Sequence, residues 1–431
     1  MMRTGFALKL LLCTVGLNAV ACGSDAMGTP RTGDDAAGSA GVESGGAGSG
    51  ASAGRTAGGG AGGAAPPGAG NGGGLGVAGN VGNAGNAGGA AAGAGSSGSA
   101  GQANGGAGPA APYFIGRFDQ SKPDAPVFAW PGTAIALRFT GTAIGVTLTD
   151  SGSNVFEVVI DGKHTVLTLD AGTKKYALGT GLAAGAHDLL LYRRTEASFN
   201  ETTFNGFDLA SSAYLPVNLP TRRLEVIGDS MSAGYGNEGT LPCVFTAATE
   251  NHYLTYEAIA ARAVNAELYT EAWSGIGMLR NYEGGTTNVM PDRYPRTLPD
   301  RATSTWDFTK FIPNAVVINL GTNDFAQGDP GAPFQAAYTK FVTDLRGHYP
   351  AARFFLALGS MLSGESYTKA GTYLKAVIAE RAAAGDKNLT LLEFGSQDSA
   401  DGLGCDYHPS LKTHQKMADK LTAALKADLA W

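Results

Sequence analysis

Apolar residues are spaced along this chain in three different ways. From about Gly28 to Ala111 the sequence is glycine, alanine, serine and asparagine with almost no bulky apolar side chain. Such a segment cannot bury enough surface to offset its ordering entropy, and disorder is predicted. It has no glycine at every third position, which excludes a collagen helix. A coil of this length spans roughly 50 Å, enough to lift a folded body off a surface. From Tyr113 to about Tyr214 apolar and polar residues alternate. Ile135-Ala136-Leu137-Arg138-Phe139, Ile144 to Leu148, Phe156 to Ile160 and Leu189 to Tyr192 read as strands, separated by turns such as Thr140-Gly141-Thr142 and Asp161-Gly162-Lys163. No helical period interrupts them. About a hundred residues of short strands predict an antiparallel β-sandwich of jelly-roll type. Phe118, Phe128 and Trp130 offer either a sugar-stacking face or a core. His164 and His187, beside strands, read as ordinary surface or turn residues.

After Pro220 strands alternate with helices. Strands are expected near 223–227, 267–272, 315–320, 353–358 and 389–393, and helices near 252–265, 334–347, 368–384 and 411–429. The last helix places Met417, Leu421, Ala424, Leu425 and Leu429 on one face. This alternation predicts an α/β body, a parallel sheet covered on both sides, and about 210 residues suffice for one such core.

Composition changes the picture at the start of the chain. With 65 glycines in 431 residues, the chain is too glycine-rich to be one compact body. Arg3 and Lys9 precede an apolar run, Leu10 to Val20, that is too short for a permanent span and reads as an export signal. Cys22 after Ala19-Val20-Ala21 fits a bacterial lipobox, although such sites usually carry Leu where Ala19 stands. The same A-V-A would serve an ordinary signal peptidase. A flexible segment directly after Cys22 makes sense as a tether and favours lipidation. The expected organisation is a signal at 1–21, a linker at 22–111, the sandwich at 112–217 and the α/β body at 218–431. Charged residues are 16% and the net charge is −6, so nothing invites nucleic acid.

Candidate chemistry sits after the strands. Leu224 to Gly236 reads LEVIGDSMSAGYG, a β-prone run broken by Gly228-Asp229-Ser230. Open α/β sheets bind ligands at the carboxyl ends of their strands, and Ser230 falls there. Three later stretches occupy equivalent positions: Ala272-Trp273-Ser274-Gly275-Ile276-Gly277, Asn319-Leu320-Gly321-Thr322-Asn323-Asp324 and Cys405-Asp406-Tyr407-His408-Pro409. Acyl transfer from an ester needs a nucleophile, a base, an orienter and oxyanion donors. Ser230 supplies the first and His408 the second. The donors are the backbone N–H groups of Ser230 and Gly275 and the side-chain amide of Asn323. Singly, each has a plain structural alternative as a turn glycine, a cap or a helix-entry histidine.

The ordered set G-D-S, S-G-x-G, G-T-N-D and D-x-H-P resembles the SGNH (GDSL-type) hydrolase superfamily, over about 222 to 431. With a sandwich in front, the chain is similar to carbohydrate esterase family 2. The resemblance is carried by Trp130-Pro131-Gly132-Thr133, Phe139-Thr140-Gly141-Thr142, Ile160-Asp161-Gly162, Arg193-Arg194-Thr195-Glu196 and Gly234-Tyr235-Gly236-Asn237. It implies a flavodoxin-like sheet, removal of acetyl groups from xylan, glucomannan or related sugars, and no cofactor or metal. The superfamily usually places its aspartate three residues before the histidine, where this chain has Cys405. Either Asp406 reaches the imidazole or a backbone carbonyl orients the ring, with Gly404 the nearest candidate. Tyr282 and Tyr407 are expected either to flank the acetylated sugar or simply to pack. Cys243 and Cys405 lie near catalytic stretches, and a disulfide between them is expected in an exported protein. The expected protein is a lipid-anchored or secreted monomer whose partner is acetylated carbohydrate and which meets a membrane only through its anchor. The alternatives are a lipase or thioesterase of the same superfamily and a non-catalytic carbohydrate-binding lipoprotein.

Overall fold

The computed structural model of the chain describes residues 108–209 and 213–431. The expected export signal, Cys13, Cys22 and the linker up to residue 107 lie outside the described residues. Gly108 already donates to the Val217 carbonyl at 2.7 Å, so packed chain begins somewhat before Tyr113.

The antiparallel half runs β1 (Tyr113–Ile115), β2 (Phe118–Asp119), β3 (Val127–Phe128), β4 (Ala134–Thr140), β5 (Ala143–Asp150), β6 (Val155–Ile160), β7 (Lys163–Thr168), β8 (Gly172–Thr180), β9 (Ala186–Arg193), β10 (Thr202–Asp208) and β11 (Tyr214–Leu215). They form two sheets, ordered β1-β4-β9-β6-β7, with β11 also on β4, and β2-β3-β10-β5-β8. The orders 4-9-6-7 and 3-10-5-8 are those of a jelly roll, two Greek keys folded over one another. Alternation along β4 and β5 sends Ile135, Leu137, Phe139, Ile144, Val146 and Leu148 into the space between the sheets. Phe118 and Phe128 belong to that core and Trp130 is fully buried, so none of the three presents a sugar-stacking face. His187 is also buried, its Nδ1 2.5 Å from Asp161, which corrects the surface reading.

The second half has five parallel strands, β12 (Arg222–Gly228), β13 (Ala266–Ala272), β14 (Ala315–Asn319), β15 (Arg353–Leu358) and β16 (Leu389–Glu393), ordered β13-β12-β14-β15-β16. Its helices are α1 (Ser230–Ala233), α2 (Tyr256–Ala263), α3 (Met290–Arg293), α4 (Thr322–Phe325), α5 (Ala332–His348), α6 (Gly364–Ala383) and α7 (Leu411–Leu429). The pleat divides the strand residues between two cores. Val316, Ile318, Phe354 and Leu356 pack against α5 and α6, whereas Ala315, Val317, Phe355 and Ala357 pack against α2 and α7. The order 2-1-3-4-5 is flavodoxin-like, with its switch point between β12 and β14. Helix α2 starts later than the expected 252. Asn251 and Thr255 each accept a backbone N–H two or three residues on, splitting the segment into a 3₁₀ turn, His252–Leu254, and the helix proper.

The two halves share buried polar groups. Arg117, just after β1, is fully buried and meets Glu271 of β13 at 2.8 Å and Glu225 of β12 at 3.0 Å. It also donates to the carbonyls of Tyr294 and Arg296. Tyr192 of β9 meets Nδ1 of the fully buried His252 at 2.6 Å.

Candidate active site

Strand β12 ends at Gly228, and the chain turns at once into α1. Asp229 caps that short helix by accepting the N–H of Met231 at 3.0 Å. Ser230 is the first helical residue, so its own N–H is one of the four that have no intrahelical acceptor. Its hydroxyl lies 2.8 Å from His408 Nε2. Nucleophile and base meet across 178 positions of sequence, at the switch point between β12 and β14.

His408 arrives on a turn that is bent tightly and bolted down. Asp406 (φ 51°) and Tyr407 (φ 63°) are both left-handed, a conformation costing roughly 1–2 kcal/mol for ordinary residues. That bend brings the Asp406 carbonyl back to 3.2 Å from the ring's Nδ1 two residues on. The Asp406 carboxylate points elsewhere, accepting the Tyr235 hydroxyl at 2.8 Å. The residue expected to orient the imidazole does touch it, but through its backbone oxygen. Gly404, whose carbonyl was the other candidate to accept the ring N–H, instead donates its N–H to the His408 carbonyl at 2.8 Å. A disulfide joins Cys405 to Cys243 with Cα atoms 4.8 Å apart, and the Cys405 N–H donates to the Gly236 carbonyl at 3.0 Å. Gly236 has to be glycine: its φ is +60°, and a Cβ there would sit 2.7 Å from that of Cys405.

The Tyr235 ring stacks on His408 with centroids 4.1 Å apart, and on its other face it stacks on Phe245 at 3.6 Å. Sequence reading quoted Tyr235 without giving it a role. Its position five residues after the nucleophile was the available signal. Burial lowers the His408 pKa to about 4, partly opposed by the carbonyl contacts, so the imidazole is unprotonated at neutral pH and its Nε2 is free to accept a proton.

The donors expected for the oxyanion lie on two further strand ends. Asn323, in α4 after β14, is buried and spends one amide hydrogen on the Ile276 carbonyl at 2.7 Å, leaving the second for a ligand. Gly275 has φ +79°, and a Cβ there would meet nothing nearer than Tyr282 at 4.0 Å. Glycine is required here by the backbone angle more than by crowding. No acceptor among the described residues takes its N–H. The loop holding it is fastened by Asp324, whose carboxylate accepts the N–H groups of Met278 (2.9 Å), Leu279 (2.7 Å) and Arg280 (2.9 Å). Asp324 is a positioning group that its place in G-T-N-D did not reveal.

Tyr282 and Tyr407 are 52% and 63% exposed. The Tyr282 N–H donates to the Gly275 carbonyl at 2.9 Å, and a cavity of about 370 Å³ opens beside it, lined among others by Trp273, Asn281, Thr287 and Arg293. Among the described residues no cluster of His, Cys, Asp and Glu could hold a metal ion, and no helix is long and apolar enough to cross a membrane.

Comparison with known proteins gives the same outline. Residues 114–217 match the carbohydrate esterase 2 N-terminal family and residues 226–416 the GDSL-like lipase/acylhydrolase family. The chain is 43% identical over 320 residues to the cellulase/esterase CelE of Acetivibrio thermocellus, covering 73% of this chain but only 39% of that protein's length. It is 30% identical over 331 residues to an acetylxylan esterase / glucomannan deacetylase of Cellvibrio japonicus, covering 71% of this chain and 87% of that one. A family two carbohydrate esterase from Clostridium thermocellum, solved in complex with cellohexaose, superposes with a TM-score of 0.72 at 42% identity. That match covers 74% of this chain and 99% of the other. Two domains in the same order, with near-complete coverage of a solved member, lead to one conclusion: this chain belongs to carbohydrate esterase family 2.

Proposed function

We propose that the protein is a serine esterase that removes O-acetyl groups from plant-type polysaccharides such as xylan and glucomannan, or from their oligosaccharides. The observation that carries this is the 2.8 Å contact between Ser230 Oγ and His408 Nε2 on the rim that also holds Gly275 and Asn323. Ser230 Oγ attacks the acetyl carbonyl carbon as its proton passes to Nε2. The negative charge building on the carbonyl oxygen is received by the N–H groups of Ser230 and Gly275 and the free amide hydrogen of Asn323. As the intermediate collapses, His408 returns the proton to the sugar oxygen and the deacetylated alcohol leaves. Water, deprotonated by His408, then attacks the acetyl-enzyme, and acetate departs with Ser230 restored. The Asp406 carbonyl holds the ring in the tautomer with hydrogen on Nδ1, which leaves Nε2 as the acceptor.

Tyr282 and Tyr407 lay flat apolar surface on either side of the sugar in this reading. Substrate identity rests on the names of the Cellvibrio japonicus relatives and on the exposed aromatic rim. The same reading assigns residues 112–217 and 218–431 to two domains of one monomeric enzyme, exported and tethered by a lipid on Cys22 through the glycine-rich segment. The test is acetate release from acetylated xylan, acetylated glucomannan, monosaccharide acetates and long-chain esters, with Ser230→Ala as control. Release from sugar acetates that the control abolishes is expected. Turnover of long-chain esters alone would overturn the carbohydrate assignment, and an active Ser230→Ala would overturn the mechanism.

A further inference from the structure

The sandwich reaches the rim through the turn after β9. Glu196, in the turn after β9, is buried, and its Oε2 accepts the N–H of Ser274 at 2.6 Å. Ser274 directly precedes Gly275, the glycine proposed as an oxyanion donor. Glu196 has little freedom of its own. Its N–H donates to Glu250 Oε2 at 2.9 Å, and its carbonyl accepts Arg193 Nη2 at 3.0 Å. The fully buried Arg193 also bonds the Thr195 carbonyl (2.8 Å), the Asn200 carbonyl (2.6 Å) and Thr202 Oγ1 (3.0 Å). The carboxylate is therefore presented from a turn closed by a guanidinium on three sides.

What needs holding is the Ser274–Gly275 peptide. Glycine is free to rotate through a wide range of φ, so nothing intrinsic keeps Gly275 at +79° with its N–H aimed at a ligand. On its far side the Gly275 carbonyl is bonded by the Tyr282 N–H. On its near side the fixed atom is the Ser274 nitrogen, and Glu196 fixes it. We propose that Glu196 is a positioning residue for the oxyanion hole, through which the sandwich domain holds the Gly275 N–H in catalytic orientation. This rests on the esterase reading above. It means the sandwich completes the active site of the α/β domain and is more than an appended module. Burial raises the Glu196 pKa and the Ser274 N–H pulls it back, so what the site uses is an acceptor oxygen at the right distance.

Three substitutions separate reach from charge. Glu196→Gln keeps an oxygen at the same reach without the charge. Glu196→Asp keeps the charge and withdraws it by one carbon–carbon bond, about 1.5 Å, beyond hydrogen-bond range. Glu196→Leu fills the space and leaves the Ser274 N–H unpaired. Each is assayed on an aryl acetate, with active sites counted by exhaustive labelling of Ser230 with a fluorophosphonate. Glu196→Leu and Glu196→Asp should lose about 10- to 100-fold in kcat with KM little changed, part of the value of one oxyanion donor. Glu196→Gln should stay within about threefold of wild type, the rescue that a purely electrostatic role would not give, whereas a purely packing role would leave Glu196→Leu unimpaired. An active wild type with Glu196→Asp and Glu196→Leu unimpaired, or with all three equally impaired, overturns this inference alone. A wild type silent on every acetyl ester overturns the esterase reading and this inference together. Should Glu196→Leu not fold, the contrast between Glu196→Asp and Glu196→Gln decides by itself.

Discussion

Replacing Asp406 by Asn deletes a carboxylate two residues from the base and leaves the backbone carbonyl in place. Asn is chosen because it tolerates the left-handed conformation at φ 51°, as Asp does, so the bend that delivers the carbonyl to Nδ1 survives. The carboxylate's own bond is to the exposed Tyr235 hydroxyl, and the amide oxygen of Asn can still accept it. The loss is then at most one weakened hydrogen bond, about 0.5–1.5 kcal/mol. Converted to rate, that is roughly 2- to 12-fold. A carboxylate that oriented the imidazole directly would be worth far more, since the comparable change in serine proteases costs about 10⁴ in turnover. That corresponds to roughly 5.5 kcal/mol, and the two expectations do not overlap. Initial rates on an aryl acetate and on acetylated xylan, with circular dichroism to confirm the fold, measure the difference. A fall of about a thousandfold or more in a folded Asp406→Asn protein would refute the carbonyl arrangement.

Asn323→Ala should cost about 10² to 10³ in kcat, since it removes one oxyanion donor; a rise in KM with kcat unchanged would make it a substrate-binding residue instead. The acid limb of kcat/KM should lie near pH 4, because His408 must be neutral to take the Ser230 proton and its pKa is lowered to about 4; rates measured across pH 3 to 8 check this, and a limb at or above the ordinary imidazole value of about 6.5 would contradict it. Reducing the Cys243–Cys405 disulfide, or replacing both cysteines by Ser, opens a loop of 162 positions worth at most about 5 kcal/mol. Calorimetry should show a lowered Tm, and kcat should fall because the turn carrying His408 loses its bolt.

Much of the fold and the candidate set could be read from sequence because the chemistry-bearing residues follow directly on β-prone runs. Ser230, Gly275 and Asn323 follow β12, β13 and β14, and a parallel sheet aligns those ends. The edge strands of the sandwich escaped notice for the opposite reason. β7 (KHTVLT) and β8 (GTKKYALGT) are exposed over most of their length and carry no apolar alternation. β10 is interrupted by a register shift between Phe204 and Phe207, which breaks its period of two. At the site, sequence separation hid what geometry decides. Asp406 stands near the position of a catalytic aspartate, and only its left-handed φ brings its carbonyl, in place of its carboxylate, to the ring's Nδ1. Glu196 lies 78 positions from Ser274 in another domain, and no local pattern links a buried glutamate to one backbone N–H.

The Arg117 cluster limits how this protein can be cut or recombined. One guanidinium from the sandwich faces two carboxylates on adjacent strands of the parallel sheet, all of them out of water. Removing one partner of a buried ion pair typically costs about 3–5 kcal/mol, because the remaining charge is stranded. A truncation that keeps only the parallel-sheet half takes that cation away from both Glu225 and Glu271. The parallel-sheet half is therefore expected to lose stability when parted from its own sandwich, and a graft from another source would have to bring a cation to the same place.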